Sequence, residues 1–210
     1  MRKLLITLWI ILLLSICFNA CFKTKTILID QESKDYCLFD QGSYWIYQDS
    51  ATQAIDSVVV GSQIDRRIWD EGRFNCEAYL FSIVFHYQDA TSRSQRFLSS
   101  KFYEDSKLTG ILEDRGHINF YYHSGKVKEY FHLYGNTQIR LLFLMDKNQY
   151  FINEITFNNI KIFEFSVPVK KEIYYWAKHV GLIREEKYDE NDNLISVKNL
   201  IRYNVKPYKQ

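Results

Sequence analysis

Beyond its N-terminal segment the chain is cut into short pieces by polar turn residues, and within the pieces apolar and polar side chains alternate. Residues 117–123 show the pattern: Ile118, Phe120 and Tyr122 fall on one side, and His117, Asn119, Tyr121 and His123 on the other. A period of two belongs to a half-buried strand. Ser124-Gly125, Gly135-Asn136 and Glu190-Asn191-Asp192-Asn193 are turn-forming sequences between such pieces. Strands are predicted over 43–49, 54–63, 74–88, 92–104, 117–123, 127–134, 138–145, 155–157, 160–167, 173–178, 182–188 and 194–205. Asp146-Lys147-Asn148 and Asn158-Asn159 read as turns, and 65–73 as a loop or one helical turn. Ile173, Trp176, Ala177 and Val180 also match helical spacing, a reading the β-rich surroundings outweigh. Consecutive hairpins predict an all-β fold: an antiparallel meander of about ten strands, curled into a barrel, a half-barrel or a sandwich.

Composition agrees. Residues 21–210 hold 33 aromatic residues and 35 Val, Ile or Thr, but only five Ala. That balance favours strands over helices. The aromatic content excludes a disordered chain, and nothing marks a second domain or an internal repeat. Net charge is +2. Residues 1–20 carry two of the 27 basic residues and none of the 25 acidic ones, so without them the chain is formally neutral. A neutral domain lacks the basic field on which nucleic-acid binding depends.

The N-terminus has the layout of an export signal. Arg2 and Lys3 precede an apolar run from Leu4 to Phe18, broken only by Thr7 and Ser15. Phe18-Asn19-Ala20-Cys21 follows, with a small residue before a cysteine. This spacing resembles the lipobox of bacterial lipoproteins, which implies lipidation of Cys21 as the first mature residue. An uncleaved membrane anchor over Leu4–Phe22 and a plain cleaved signal are the alternatives. The expected division is a signal peptide over 1–20, a lipidated Cys and tether over 21–34, and one β-rich domain over 35–210. Cys37 and Cys76 remain as either a disulfide, which an exported protein can keep, or two separate buried thiols.

Gly42-Ser43-Tyr44-Trp45-Ile46-Tyr47 resembles the GxYWxY opening of many small lipoproteins of the Bacteroidetes type. Tyr174-Tyr175-Trp176-Ala177-Lys178-His179-Val180-Gly181-Leu182-Ile183-Arg184-Glu185-Glu186 resembles their YYAxGVGLIKxE segment, with His179 where they often have Gly. Asn199-Leu200-Ile201-Arg202-Tyr203 resembles their closing strand. The resemblance implies location and fold and carries no chemistry. It implies anchoring in the envelope, at the outer membrane, with the periplasmic face favoured over the cell surface because Lys23-Thr24-Lys25 brings no acidic run after Cys21.

No catalytic signature is present: no GxSxG, HExxH, phosphate-binding loop or EF-hand loop. His86, His117, His123, His132 and His179 are scattered, with no metal-ligand spacing, and no cofactor is implied. Glu113-Asp114 and Glu185-Glu186 read as surface charge. Aromatic residues are the remaining signal. Tyr79, Phe81, Ile83, Phe85 and Tyr87 occupy one face of a predicted strand; with Ile118, Phe120 and Tyr122 they form either a sealed core or the lining of an apolar ligand groove. The expected function is a membrane-tethered, non-catalytic binding or interaction module, whose partner is an apolar ligand or an envelope protein. The alternative is an envelope hydrolase acting on glycan or lipid.

Lipid attachment gives the first test. Cells producing Cys21→Ser should release the domain from the membrane fraction and fail to label it with radioactive fatty acid. Unchanged, lipid-labelled membrane attachment would exclude Cys21 as the anchor.

Overall fold

The structure, a computed structural model, describes residues 25–62, 64–70, 74–87, 90–103, 106–114, 117–122, 129–134, 137–167 and 170–208. Residues 1–20 and Cys21 lie outside the described residues. Among the described residues fourteen strands and one helix succeed one another: β1 (Lys25–Ile27), α1 (Gln31–Cys37), β2 (Tyr44–Asp49), β3 (Ile55–Val60), β4 (Asp65–Asp70), β5 (Phe74–Tyr87), β6 (Ala90–Tyr103), β7 (Ser106–Asp114), β8 (His117–Tyr122), β9 (Glu129–Tyr134), β10 (Thr137–Ile152), β11 (Ile155–Val167), β12 (Lys170–Ala177), β13 (Gly181–Tyr188) and β14 (Leu194–Asn204). The expected all-β class holds.

All the strands belong to one sheet, in the order β8-β7-β6-β5-β3-β2-β14-β13-β12-β11-β10-β9, with β1 and β4 both paired to β5. The path is a meander laid end to end in a ring. The late strand β14 pairs antiparallel with the early strand β2, Tyr203 opposite Trp45 and Leu200 opposite Tyr47. The ring is not closed at its far side, where β8 and β9 are the two edges. The sheet nevertheless curls strongly. Phe157 on β11 and Tyr203 on β14 are separated by two strands, which in a flat sheet would put them roughly 14 Å apart. Their rings instead lie 6.0 Å apart between centroids.

Local sequence reading fails where strands are polar. Residues 65–73 were expected to be a loop or one helical turn; four of the six β4 residues are ionic and all six are exposed, and pairing with β5, Asp65 opposite Leu80 through Asp70 opposite Asn75, makes β4 a strand. Residues 106–114 add β7, which alternation did not mark. The turn expected at Asp146-Lys147-Asn148 is instead the middle of β10. Asp146 stands opposite Lys161, whose ammonium donates to its carboxylate at 2.9 Å, so a cross-strand ion pair holds the polar stretch in the ladder. The chain reverses after Ile152, where Asn153 has φ +46. Asn158-Asn159 is likewise no turn but part of the continuous strand β11. Asn159 does adopt a left-handed φ of +53, and its carbonyl accepts from Tyr36 Oη and the Lys178 N–H. Residues 170–177 are strand, as the β-rich context favoured.

Part of the expected tether belongs to the domain. β1 runs parallel to β5, Lys25 opposite Phe74 and Ile27 opposite Cys76, and both Ile27 and Ile29 are buried. Helix α1 then starts at a conventional cap: Asp30 accepts from the Ser33 N–H at 2.7 Å. It contributes Tyr36 and Cys37 to the core, followed by Leu38 and Phe39. The helix thus fills the end of the curled sheet where β12 turns into β13: the Asp35 carbonyl accepts from the His179 N–H.

One buried carboxylate fixes this arrangement. Glu77 on β5 is 1% exposed. It accepts from the Ile29 N–H at 2.9 Å, Arg66 Nε at 2.7 Å and Tyr79 Oη at 2.9 Å, and Lys34 Nζ lies 3.3 Å away. Burial pushes this carboxyl upward, but the three donors and the Lys34 charge outweigh it and hold it below the ordinary carboxylate value. Glu77→Ala leaves the Ile29 N–H and the Lys34 ammonium buried and unpaired, and should lower stability by about 3–5 kcal/mol in a denaturant titration. The depressed group stabilises the fold above its unfolded-state value and loses that contribution as pH falls through the lower folded-state value. The gap between wild type and Glu77→Ala should therefore shrink on acidification below the ordinary carboxylate range; a gap constant with pH would contradict it.

Candidate functional site

The inner face of the curled sheet is not filled completely. A cavity of about 300 Å³ lies between β2, β3, β5, β6, β12, β13 and β14. Its inner end is apolar and buried, formed by Phe39, Trp45, Val60, Phe81 and Trp176. Its outer end is charged and opens to solvent, with Asp56, Tyr87, Glu185, Lys187 and Lys198 around it. Exposure rises along a single strand, from Phe81 at 3% to Tyr87 at 46%.

Strand alternation produces this lining. Phe81, Ile83, Phe85 and Tyr87 are every second residue of β5 and all face the cavity. Arg96 stands opposite Phe81 on β6 and therefore shares that face; its guanidinium carbon lies 5.4 Å from the Phe85 ring centroid. On the other wall a bulge at Ile183 in the β12–β13 pairing puts Leu182 on the same face as Glu185 and Lys187, which also line the cavity.

The two segments that carry the lipoprotein resemblance meet here. The Trp45 indole N–H donates to the Val180 carbonyl at 2.6 Å, and the Tyr47 hydroxyl to the Leu182 carbonyl at 2.8 Å. Phe39 packs edge-on against Trp45 at 5.2 Å. Gly181 has φ +93, and a Cβ there would lie 3.1 Å from the Phe39 ring, so both backbone and space call for glycine. His179 has φ +61, a left-handed conformation that Gly would adopt without strain.

At the mouth the carboxylates are paired. Lys198 Nζ donates to Asp56 at 2.5 Å, and Lys187 Nζ lies 3.1 Å from Glu185. Burial alone would lower the Lys187 ammonium, but Glu185 keeps it above its ordinary value. Tyr174 donates to Glu172 at 2.5 Å. Burial pushes the Cys37 thiol and the Tyr47 and Tyr174 phenols well above their ordinary values; the Arg96 charge offsets only part of the rise. All three are shifted away from neutrality, which suits packing and hydrogen bonding more than acid–base work.

Four of the five β5 residues singled out from sequence line the cavity. Tyr79 does not: it is fully buried below the cavity, bonded to Glu77 and edge-on to Tyr208 at 5.5 Å. Ile118, Phe120 and Tyr122 lie on the edge strand β8, and their side chains are outside the described ones. Cys37 and Cys76 are both buried and are not brought together. Cys37 lines the cavity, whereas Cys76 is an even-numbered position of β5, on the face opposite Phe81 and Ile83. Sequence reading missed Phe39, Val58, Val60 and Arg96. The first three look like ordinary core, and no pattern around Arg96 marks it as inward-facing.

No protein-family profile matches the chain, and no curated protein matches it in sequence. Two solved structures are similar in backbone arrangement. One is a candidate exported protein with a YmcC-like fold from Bacteroides fragilis NCTC 9343, at 11% identity and a TM-score of 0.47, covering 80% of this chain and 98% of the other. The second is a candidate lipoprotein from Parabacteroides distasonis ATCC 8503, at 13% identity and a TM-score of 0.43, covering 79% of this chain and 97% of the other.

The separation of the two cysteines is directly testable. Cys37 should resist alkylation in the native protein, because it is buried and its thiol is held protonated. Under denaturing, non-reducing conditions both Cys37 and Cys76 should react in protein recovered from the envelope. A non-reducing peptide map containing a Cys37–Cys76 link would contradict the geometry.

Proposed function

We propose that this chain is a membrane-tethered, non-catalytic lipoprotein of the bacterial cell envelope whose internal cavity binds a small apolar or amphiphilic molecule. Its expected place is the periplasmic face of the outer membrane, held by lipid on Cys21. The observation that carries the binding reading is the mismatch between the two ends of the cavity. At the inner end the polar atoms of Trp45 and Tyr47 are already committed to the Val180 and Leu182 carbonyls. Water entering there finds few partners, and buried water normally needs two to four. Left dry, the buried apolar end of the cavity would be destabilising in proportion to the volume left unfilled there. An apolar group resolves the conflict, and the volume is at the lower end of the range for small-molecule sites. The charged outer end then suits a polar head: Lys187 and Lys198 stand there with Asp56 and Glu185, and Arg96 lies deeper, against the Phe85 ring.

Uptake of N-phenyl-1-naphthylamine, whose fluorescence rises in apolar surroundings, measures the cavity directly. Wild type should bind it, and Val58→Phe, which adds bulk inside the lining, should weaken uptake at least about tenfold while leaving thermal stability equal or higher. Wild type that takes up no probe, and that yields no amphiphile on solvent extraction, would overturn the binding reading.

A further inference from the structure

We infer that the cavity opens away from the membrane that carries the lipid anchor, so that its ligand is exchanged through the aqueous space and not by direct entry from the anchoring bilayer. This rests on the lipidation of Cys21 and on the binding reading above.

The direction of the chain at its entry decides the orientation. β1 is parallel to β5, with Lys25 opposite Phe74 at the beginning of that strand. At Lys25 the chain is therefore at the end of β5 remote from Tyr87, and from there it runs toward the mouth. The entry is fastened: Ile27 and Ile29 are buried, the Ile27 carbonyl accepts from Ser100 Oγ at 2.7 Å, and the Ile29 N–H is held by Glu77.

Two lengths then compete. Cys21 lies four residues before Lys25, which allows a separation of at most about 14 Å. β5 has 14 residues and carries Tyr87, at the mouth, roughly 40 Å along the strand from Phe74. The mouth is flanked by exposed apolar residues: Ile55, Tyr87, Leu194 and Ile195 are each about half exposed. Alone, such a rim would suit insertion into a lipid surface. The tether is too short to bring that rim to the anchoring membrane with the domain upright. It would have to lie on its side, with a wall of the sheet against lipid.

Single cysteines at the two ends test this in the full-length lipidated protein, since Cys37 and Cys76 are buried. Glu154→Cys sits in the β10–β11 turn on the α1 side, and Ile195→Cys sits beside the mouth. Each is labelled with a fluorophore and the protein is reconstituted into vesicles containing lipids with nitroxide headgroups. Quenching should be at least about twofold stronger at position 154 than at 195, given the lengths above. Inserting about 20 Gly/Ser residues between Thr24 and Lys25, which adds roughly 25 Å of flexible reach, should reduce that difference. Equal or stronger quenching at 195, or a difference unchanged by the linker, overturns the inference. Failure of the protein to float with the vesicles removes it through its anchor premise. Uptake of N-phenyl-1-naphthylamine by the same vesicles reports on the cavity separately, so the two readings fail in different measurements.

Discussion

The fold depends on a contact between residues about 135 positions apart. Trp45 and Tyr47, on an early strand, donate to the Val180 and Leu182 carbonyls at the corner before β13. Together with the β2–β14 pairing, these bonds join an early strand to the last hairpin and unite the two halves of the meander in one curled, open sheet. Closing so long a loop is entropically unfavourable and is offset only when many contacts form together. The aromatic bodies of Trp45 and Tyr47 supply that burial, and their polar tips remove two carbonyls that the bulged corner would leave unpaired. Gly181 is part of the same constraint, because any side chain there would strike Phe39.

Buried charge is used where the apolar core is thin. Glu77 fastens the N-terminal segment through one backbone and three side-chain partners. Lys161 does similar work on the other side of α1: its ammonium lies 2.9 Å from Asp146 and 3.4 Å from Glu32, over the rings of Tyr36 and Phe143. Both clusters grip the helix region, so the helix is a fixed plug for one end of the sheet. Among the described residues the other end has no equivalent plug, and that asymmetry goes with the cavity. Glu186 is buried and collects Arg184, Tyr175 and Tyr188 on the face of β13 opposite Glu185. In the charged tail of the Gly181–Glu186 segment, Arg184 and Glu186 therefore brace strands, while Glu185 faces the cavity mouth beside Lys187.

Alternation along the chain is local information, and it made much of the fold and part of the site readable. Phe81, Ile83, Phe85 and Tyr87 share a face because a strand has a period of two, whatever surrounds it. The scarcity of Ala and the turn sequences made the β class legible for the same reason. Polar strands were illegible: β4 and the middle of β10 carry no alternation and owe their conformation to the partners beside them, such as Lys161 opposite Asp146. Helix α1 was missed because its seven residues hold only Tyr36 and Cys37 as apolar side chains, too few for a periodic signal.

Residue order thus dictated the β class, the inward face of β5 and the layout of an export signal, all of which follow from near neighbours and the geometry of one strand. Tertiary structure decided the rest. Whether that face is sealed or hollow depends on strands more than a hundred residues away. The separation of Cys37 from Cys76 depends on which faces their elements present. The position of the cavity mouth relative to the chain's entry depends on the parallel pairing of β1 with β5. Each is a relation between distant segments, fixed only when the sheet curls and its first and last strands meet.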